Sequence, residues 1–254
     1  MTIIFPPNNY LSEMNRSFTP QSKPGLIRPI TVLGMHRSGT SCLTGLLEDA
    51  GVWLGPVSKH APFNLKGNQE NSEIVALHDD VLADNGAQWD RPPMHASQWQ
   101  AQRIGTLGRI LERYPKDKPW AFKDPRSCFT IGAWKQALPQ LQFIGTYRHP
   151  VAVAMSLHQR NGMAMERGVE LWLRYNRQLI DLKERFGFRL VCFDLDPAAY
   201  LEQVAYLFQG LGLTFPPSAL SFFDAGLRKQ TPNPSATLPS VATDLYRYLS
   251  DLSG

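Results

Sequence analysis

The chain has 254 residues, a formal net charge of +4, 43% hydrophobic and 19% charged residues. That length suits one domain with a single good core, and the composition is that of an ordinary globular protein. No apolar run approaches the ~20 residues a membrane span needs. Nor is there a lysine- and arginine-rich tail or an aromatic-plus-basic platform, which sets nucleic acid aside as a partner. The mild basic excess suits an anionic ligand.

Residues 1–28 carry Pro6, Pro7, Pro20, Pro24 and Gly25 without periodicity and are expected to be a flexible arm, with residues 29–254 as a single domain. The opening MTIIFPPNNY has neither the basic segment nor the long apolar core of a secretory signal. Cys42, Cys128 and Cys192 lie far apart beside apolar residues, as buried thiols do, rather than as a disulfide or metal site. Both features point to the cytoplasm.

Ile30-Thr31-Val32-Leu33 reads as a short buried strand. Gly34-Met35-His36-Arg37-Ser38-Gly39-Thr40-Ser41 follows as a loop, and Cys42 to Ala50 is amphipathic and helical, closed by Gly51. Strand, glycine-punctuated loop and helix make an anion cradle, because the loop N–H groups converge beside a helix N-terminus. A nucleoside triphosphatase loop would read GxxxxGK[ST]. Here Thr40 stands in the lysine's place, and the cation, Arg37, comes three residues earlier.

Asn68 is expected to cap a helix from Gln69 to about Asp84, with Ile74, Leu77, Val81 and Leu82 on one face. Ser97 is expected to cap a helix running to Tyr114. Trp120 to Lys123 reads as a second strand, stopped by Asp124-Pro125. A short helix from Phe129 to Ala137 leads to a third strand, Leu141 to Tyr147, and Pro150 suits the first turn of the next helix. A long helix from Ala164 to Phe186, a strand from Arg189 to Leu195, and helices at Pro197–Leu211, Pro217–Ala225 and Pro239–Leu252 complete the chain. Alternating strands and helices give an α/β fold with a central, mostly parallel sheet flanked by helices. Ligands of such sheets sit beyond the carboxyl ends of the strands. Gly34, Lys123 and Arg148 all fall just past such ends, on one rim.

Three segments carry a family resemblance. Gly34 to Ser41 resembles the 5′-phosphosulfate loop of sulfotransferases that use 3′-phosphoadenosine 5′-phosphosulfate (PAPS). Gln142 to Ser156 is similar to the 3′-phosphate motif of that family: an arginine ending a strand, Arg148, then Pro150, then Ser156 eight residues after the arginine. Lys123-Asp124-Pro125-Arg126 is similar to the Lys-Asp-Pro segment of tyrosylprotein and many bacterial sulfotransferases. The three occur in family order between Pro29 and Ser156. Two departures stand out: Gly34-Met35-His36 replaces a common proline and lysine, and no His follows a Lys-Thr pair as in the phenol and steroid enzymes.

The resemblance implies a three-layer P-loop-like fold, PAPS as donor, 3′,5′-bisphosphoadenosine (PAP) as product, and no metal. It implies that His36, Arg37, Ser38, Gly39, Thr40 and Ser41 hold the 5′-phosphosulfate, and that Arg148 and Ser156 hold the 3′-phosphate. Lys123 would meet the bridging oxygen of the leaving phosphate, and Arg37 would share the neutralisation of charge. Asp124 would orient Lys123 or Arg126, or cap the following turn. A hydroxyl acceptor gains from a general base. Glu70, in a Gly-x-x-Glu segment like that of bacterial members, is the first choice, with His60, His36 and His78 as alternatives. An acid in a first helical turn, stabilised by the dipole, is the plainer reading of Glu70. Likewise the loop reads as a simple glycine turn, Arg148 as a surface ion pair and Ser156 as a small residue at a helix crossing. Trp53, Trp89 and Trp99 line an acceptor pocket or pack the core. Arg228-Lys229 lies over the 3′-phosphate or forms a solvated charge run.

The favoured activity is sulfuryl transfer from PAPS to a hydroxyl of a carbohydrate, lipid or small metabolite, with a small-molecule or glycan acceptor as partner. The alternatives are a P-loop small-molecule kinase using ATP and magnesium, against which Thr40 speaks, and a non-catalytic nucleotide-binding relative.

Overall fold

The computed structural model describes residues 28–60, 64–215, 222–224, 226 and 238–253. The expected arm up to residue 27, most of the expected Pro217–Ala225 helix and the Arg228-Lys229 pair lie outside them.

Four strands, β1 (Ile30–Leu33), β2 (Ala121–Lys123), β3 (Gln142–Tyr147) and β4 (Arg189–Cys192), form one sheet in the order β2-β1-β3-β4. Every pairing is parallel, with Ile30 opposite both Ala121 and Gln142, and Ile144 opposite Arg189. The strands are rich in β-branched and aromatic residues and are buried on both faces, as parallel strands under helices must be. Around them lie α1 (Thr40–Asp49), α2 (Ser72–Asp84), α3 (Ala101–Glu112), α4 (Ser127–Ala137), α5 (Pro150–Asn161), α6 (Met165–Phe186), α7 (Pro197–Gly210) and α8 (Ser240–Asp251).

Strand side chains alternate between two cores. Ile30, Val32, Ile144 and Val191 pack with Leu43, Leu46 and Leu47 of α1 and Tyr200, Val204 and Phe208 of α7. On the opposite face Leu33, Phe122, Phe143 and Tyr147 pack with Leu77, Trp134, Trp172, Tyr175 and Leu249. The result is a three-layer α/β fold. Within α6, Leu171, Tyr175, Leu179 and Leu182 are all buried, as their helical register requires. Pro150 opens α5 at a position where its missing N–H leaves no gap in the ladder.

Helices α1 and α4 begin two residues earlier than expected, at Thr40 and Ser127, and two expected caps are not used. Helix α2 begins at Ser72 rather than Gln69, and its cap is Asn71, whose side chain accepts from the Glu73 N–H at 2.9 Å. The backbone before it is committed elsewhere: Ser58 N–H donates to the Glu70 carbonyl at 3.1 Å, and Gln69 N–H to the Ser58 carbonyl at 3.2 Å. Gln69 is also left-handed, at φ 55°. Asn68 therefore caps nothing. Helix α3 begins at Ala101, after Ser97 N–H has bonded the Phe129 carbonyl at 2.7 Å. Strand β4 stops at Cys192, since Asp194 turns to Arg148.

Cys42, Cys128 and Cys192 are free thiols, the last two buried, and burial pushes the Cys128 thiol up to about 12, which keeps it unreactive at neutral pH. Among the described residues no helix is long and apolar enough to cross a membrane, and no cluster of His, Cys, Asp or Glu is placed to hold a metal ion.

Candidate active site

A cavity of about 890 Å³ opens along the β1–α1 loop, at the carboxyl ends of β1, β2 and β3. The loop is shaped by close approach. A Cβ on Gly34 would lie 2.4 Å from the Thr146 carbonyl oxygen, and one on Gly39 would lie 2.3 Å from the Phe193 ring. Both glycines have positive φ, and so does Arg37, at 67°. Between them the chain turns back on itself, and the Ser38 N–H donates to the Met35 carbonyl at 3.3 Å. Gly39 is the N-cap of α1 and supplies no side-chain oxygen, so the orphan N–H groups of the first turn have no cap from it. The Ser38 hydroxyl is buried and has no hydrogen-bond partner among the described residues.

Arg37 reaches across to α5, its Nε donating to Ser156 Oγ at 2.7 Å. The Arg37 carbonyl accepts from a guanidinium N–H of Arg148 at 3.4 Å. Arg148, only 4% exposed, also donates to Asp194 at 3.2 Å and lies over the Phe193 ring, 5.4 Å from its centre. Its own carbonyl is fixed by the Trp172 indole N–H at 2.8 Å. Thus residues from the β1–α1 loop and the β3–α5 junction form one basic cluster. Burial, with the neighbouring charges of Arg160 and Arg148, lowers the Arg37 guanidinium to about 10, so it stays charged at neutral pH while gaining from a nearby anion.

Lys123 ends β2 and is 2% exposed. Its ammonium donates to Glu70 at 2.6 Å and to Ser41 Oγ at 3.3 Å, while Ser41 donates onward to the Asn68 carbonyl at 2.9 Å. Glu70 is carried by the extended segment ahead of α2, not by its first turn, where Glu73 sits instead. Its place therefore owes nothing to the helix dipole. Glu70, Lys123, Arg37, Arg148 and Ser156 all line the cavity, as do His36, Gly39, Thr40 and Ser41. Ser38 does not line it.

Asp124 does not orient Lys123. Fully buried, it accepts from the Arg126 N–H at 3.1 Å, from the Arg126 guanidinium at 2.9 Å and from His78 Nδ1 at 2.8 Å. Trp134 Nε1 donates to His78 Nε2 at 2.8 Å. An indole N–H can only donate, so His78 Nε2 is the acceptor and Nδ1–H is what His78 gives to Asp124. Burial alone would raise Asp124, but the His78 hydrogen bond and the Arg126 charge hold it well below the usual carboxylate range. His78, with both nitrogens engaged and no access to the cavity, is a structural residue rather than a base. His60 is exposed and outside the cavity. His36 does line the cavity, its ring edge-on to Trp89 and Tyr175 at 4.9 and 5.7 Å. Burial drives its pKa well below the usual histidine value, so the imidazole is neutral.

Of the three tryptophans only Trp89 reaches the cavity. Trp53 packs on Tyr114 and bridges to Trp120, and Trp99 donates to the Thr130 carbonyl at 3.0 Å. The sequence reading missed Arg160, which lines the cavity from the last turn of α5 with its guanidinium 4.6 Å from the Trp89 ring centre. The signal was present: Arg160 follows Ser156 by four residues and so shares its helix face.

Among solved structures, the sulfotransferase domain of the Synechococcus PCC 7002 olefin synthase aligns with a TM-score of 0.52 at 18% identity, covering 92% of this chain and 98% of that one. The sulfotransferase domain from the curacin biosynthetic pathway aligns with a TM-score of 0.52 at 17% identity, covering 89% and 98%. At such identities the likeness is one of fold. No curated protein matched the sequence. The model of the sulfotransferase family, however, matches residues 29–197, two thirds of the chain and all three motifs. On that match, this chain is a member of the sulfotransferase family.

Proposed function

We propose that the protein transfers a sulfuryl group from PAPS to a hydroxyl acceptor. One observation carries the reading: Arg37 and Ser156, 119 residues apart in sequence, are hydrogen-bonded beside Arg148 at the uncapped start of α1. Two anion-holding segments joined in this way suit a donor with phosphates at both ends of a nucleoside.

PAPS would supply an activated sulfuryl group on a phosphate leaving group. Arg37 and the N–H groups of Gly39 to Ser41 would hold its 5′ end, the Ser38 N–H being bonded to the Met35 carbonyl, and Arg148 with Ser156 its 3′-phosphate. Sulfuryl transfer, like phosphoryl transfer, asks the protein mainly for positioning and fixed positive charge. Lys123 stands ready as that charge and as a proton donor. Its contact with Glu70 puts a proton acceptor next to it, so Glu70 can take the acceptor's hydroxyl proton when Lys123 turns to the leaving oxygen. The acceptor is a small molecule or glycan, and the cytoplasm is the proposed compartment.

The test is a thermal-shift titration with PAP and, separately, with ATP and magnesium, on wild type, Arg148→Ala and Ser156→Ala. PAP at ~100 times its dissociation constant should stabilise the wild type by ~2.7 kcal/mol. Both variants should lose most of that shift. A shift with ATP–magnesium alone would replace sulfuryl transfer by phosphoryl transfer.

A further inference from the structure

Six cationic side chains line the cavity: Arg37, Lys66, Lys123, Arg126, Arg148 and Arg160. Five of them are answered by the protein. Lys123 has Glu70, Arg126 has Asp124 and Asp79, and Arg148 has Asp194. Lys66 donates to the Phe222 carbonyl at 2.7 Å, and Arg37 holds Ser156. Arg160 has no carboxylate and no hydrogen-bond acceptor among the described residues; its one contact of note is the indole face of Trp89 at 4.6 Å. The protein thus leaves the donors of a half-buried guanidinium to water or to a ligand.

Its place in the cavity says what it serves. Beyond burial, the groups that act on Arg160 are Glu70, Arg126, Tyr175 and Asp90, none of them within ion-pair or hydrogen-bond distance, while Arg37 feels both Arg160 and Arg148. Arg160 shares the cavity with Arg37, Lys123 and Glu70 and enters it from the last turn of α5, one turn beyond Ser156. A second partnerless group lies in the same corner. His36 Nε2 is buried without a hydrogen bond, and its ring packs against the same Trp89. Trp89 cannot stack on a sugar with that face, because the guanidinium already covers it. What the corner presents is an arginine guanidinium over an indole, with a neutral imidazole packed on the same indole. A guanidinium's planar fork matches the two oxygens of a carboxylate or phosphate.

We propose that Arg160, backed by Trp89 and flanked by His36, is the acceptor-binding subsite, and that the acceptor carries an oxyanion group in addition to the hydroxyl that is sulfated. This rests on the sulfotransferase reading above. The occupant is a hydroxy acid or a hydroxyalkyl or hydroxyaryl phosphate, rather than a neutral sugar or sterol.

The test uses the full chain with PAP bound, so that no turnover is needed. Binding of 3-hydroxybenzoate, 3-hydroxyphenyl phosphate and 3-hydroxybenzyl alcohol is measured by calorimetry, alongside 3-hydroxybutyrate, glycerol 3-phosphate and 1,3-butanediol. At least one anionic member should bind about tenfold or more tightly than its neutral counterpart, the margin a charge-assisted hydrogen bond gives. Which anion wins separates carboxylate from phosphate. Arg160→Gln should erase the preference and leave PAP affinity intact, and Arg160→Lys should keep part of it. The proposal falls if no anionic member binds the PAP complex at its solubility limit, or if the preference survives in Arg160→Gln. It also falls if Arg160→Gln weakens PAP, since Arg160 then belongs to the donor side. Failure of PAP to bind the wild type, seen in the prior titration, would instead remove the donor assignment on which the subsite depends.

Discussion

Two arginines line the same cavity and live in opposite circumstances. At the β2–α4 corner, Arg126 is held by Asp124 and Asp79, Asp124 is held by His78, and His78 by Trp134. Every donor in that chain that reaches the interior finds an acceptor, and the group ends on Phe122, stacked on Trp134 at 4.1 Å between ring centres. At the end of α5, Arg160 lies on Trp89 and meets no acceptor among the described residues. A closed network spends its polarity on holding the fold. An open one keeps its polarity for something that arrives. The same residue type at the same rim is thus tied into the fold in one case and without a protein acceptor in the other.

The comparison can be broken most forcefully at Asp124. Asp124→Asn should destabilise the protein by about 3–5 kcal/mol, because it leaves Arg126 and His78 with a neutral partner in a buried site. Urea unfolding reads this directly, and a cost below about 1 kcal/mol would show that the network is not what holds the corner. The pH dependence has a definite sign. The folded carboxyl lies below the unfolded value of 3.8, so its contribution is complete above that pH and disappears as the pH falls below it. Wild type should therefore lose stability in acid more steeply than Asp124→Asn.

Lys123→Met sharpens the contrast from the catalytic side. It should lower kcat by about 10²–10³-fold, the usual cost of one lost electrostatic contact to a transition state. Circular dichroism should be preserved, since Met fills the same buried stem. The smallest effect is expected at the open arginine. Arg160→Gln should change unfolding free energy by only about 0.5–1 kcal/mol, the worth of a cation–π contact at a partly exposed site. A loss as large as that of Asp124→Asn would mean that Arg160 is a structural residue after all.

Much of this site was legible in the sequence, and what escaped has physical reasons. The loop around Arg37 was readable because its pattern is local: glycines, strand and helix lie within about 20 residues. The parallel sheet followed from alternation, and the rim position of Lys123 and Arg148 from their places at strand ends. Asn71 displaced Asn68 as the cap of α2 because Ser58 ties down the preceding backbone, a contact that local propensity cannot anticipate. His78 looked like a candidate base until Trp134, 56 residues later, occupied its second nitrogen. Trp89, Trp53 and Trp99 were indistinguishable as letters, and only packing across the α-layers assigned one to the cavity. Arg160 was readable through its helical spacing from Ser156, yet whether it has a partner is a property of three-dimensional packing.

The reciprocal hold between Arg37 and the β3–α5 junction has a consequence for transplanting this chemistry. Ser156 receives the Arg37 side chain, and Arg148 donates to the Arg37 carbonyl, so the left-handed turn at Arg37 is braced from another part of the chain. A graft of Gly34 to Ser41 alone into a foreign parallel sheet would carry the turn without its brace. The portable unit is the pair of β–α junctions on neighbouring strands, β1 and β3, moved together with their register.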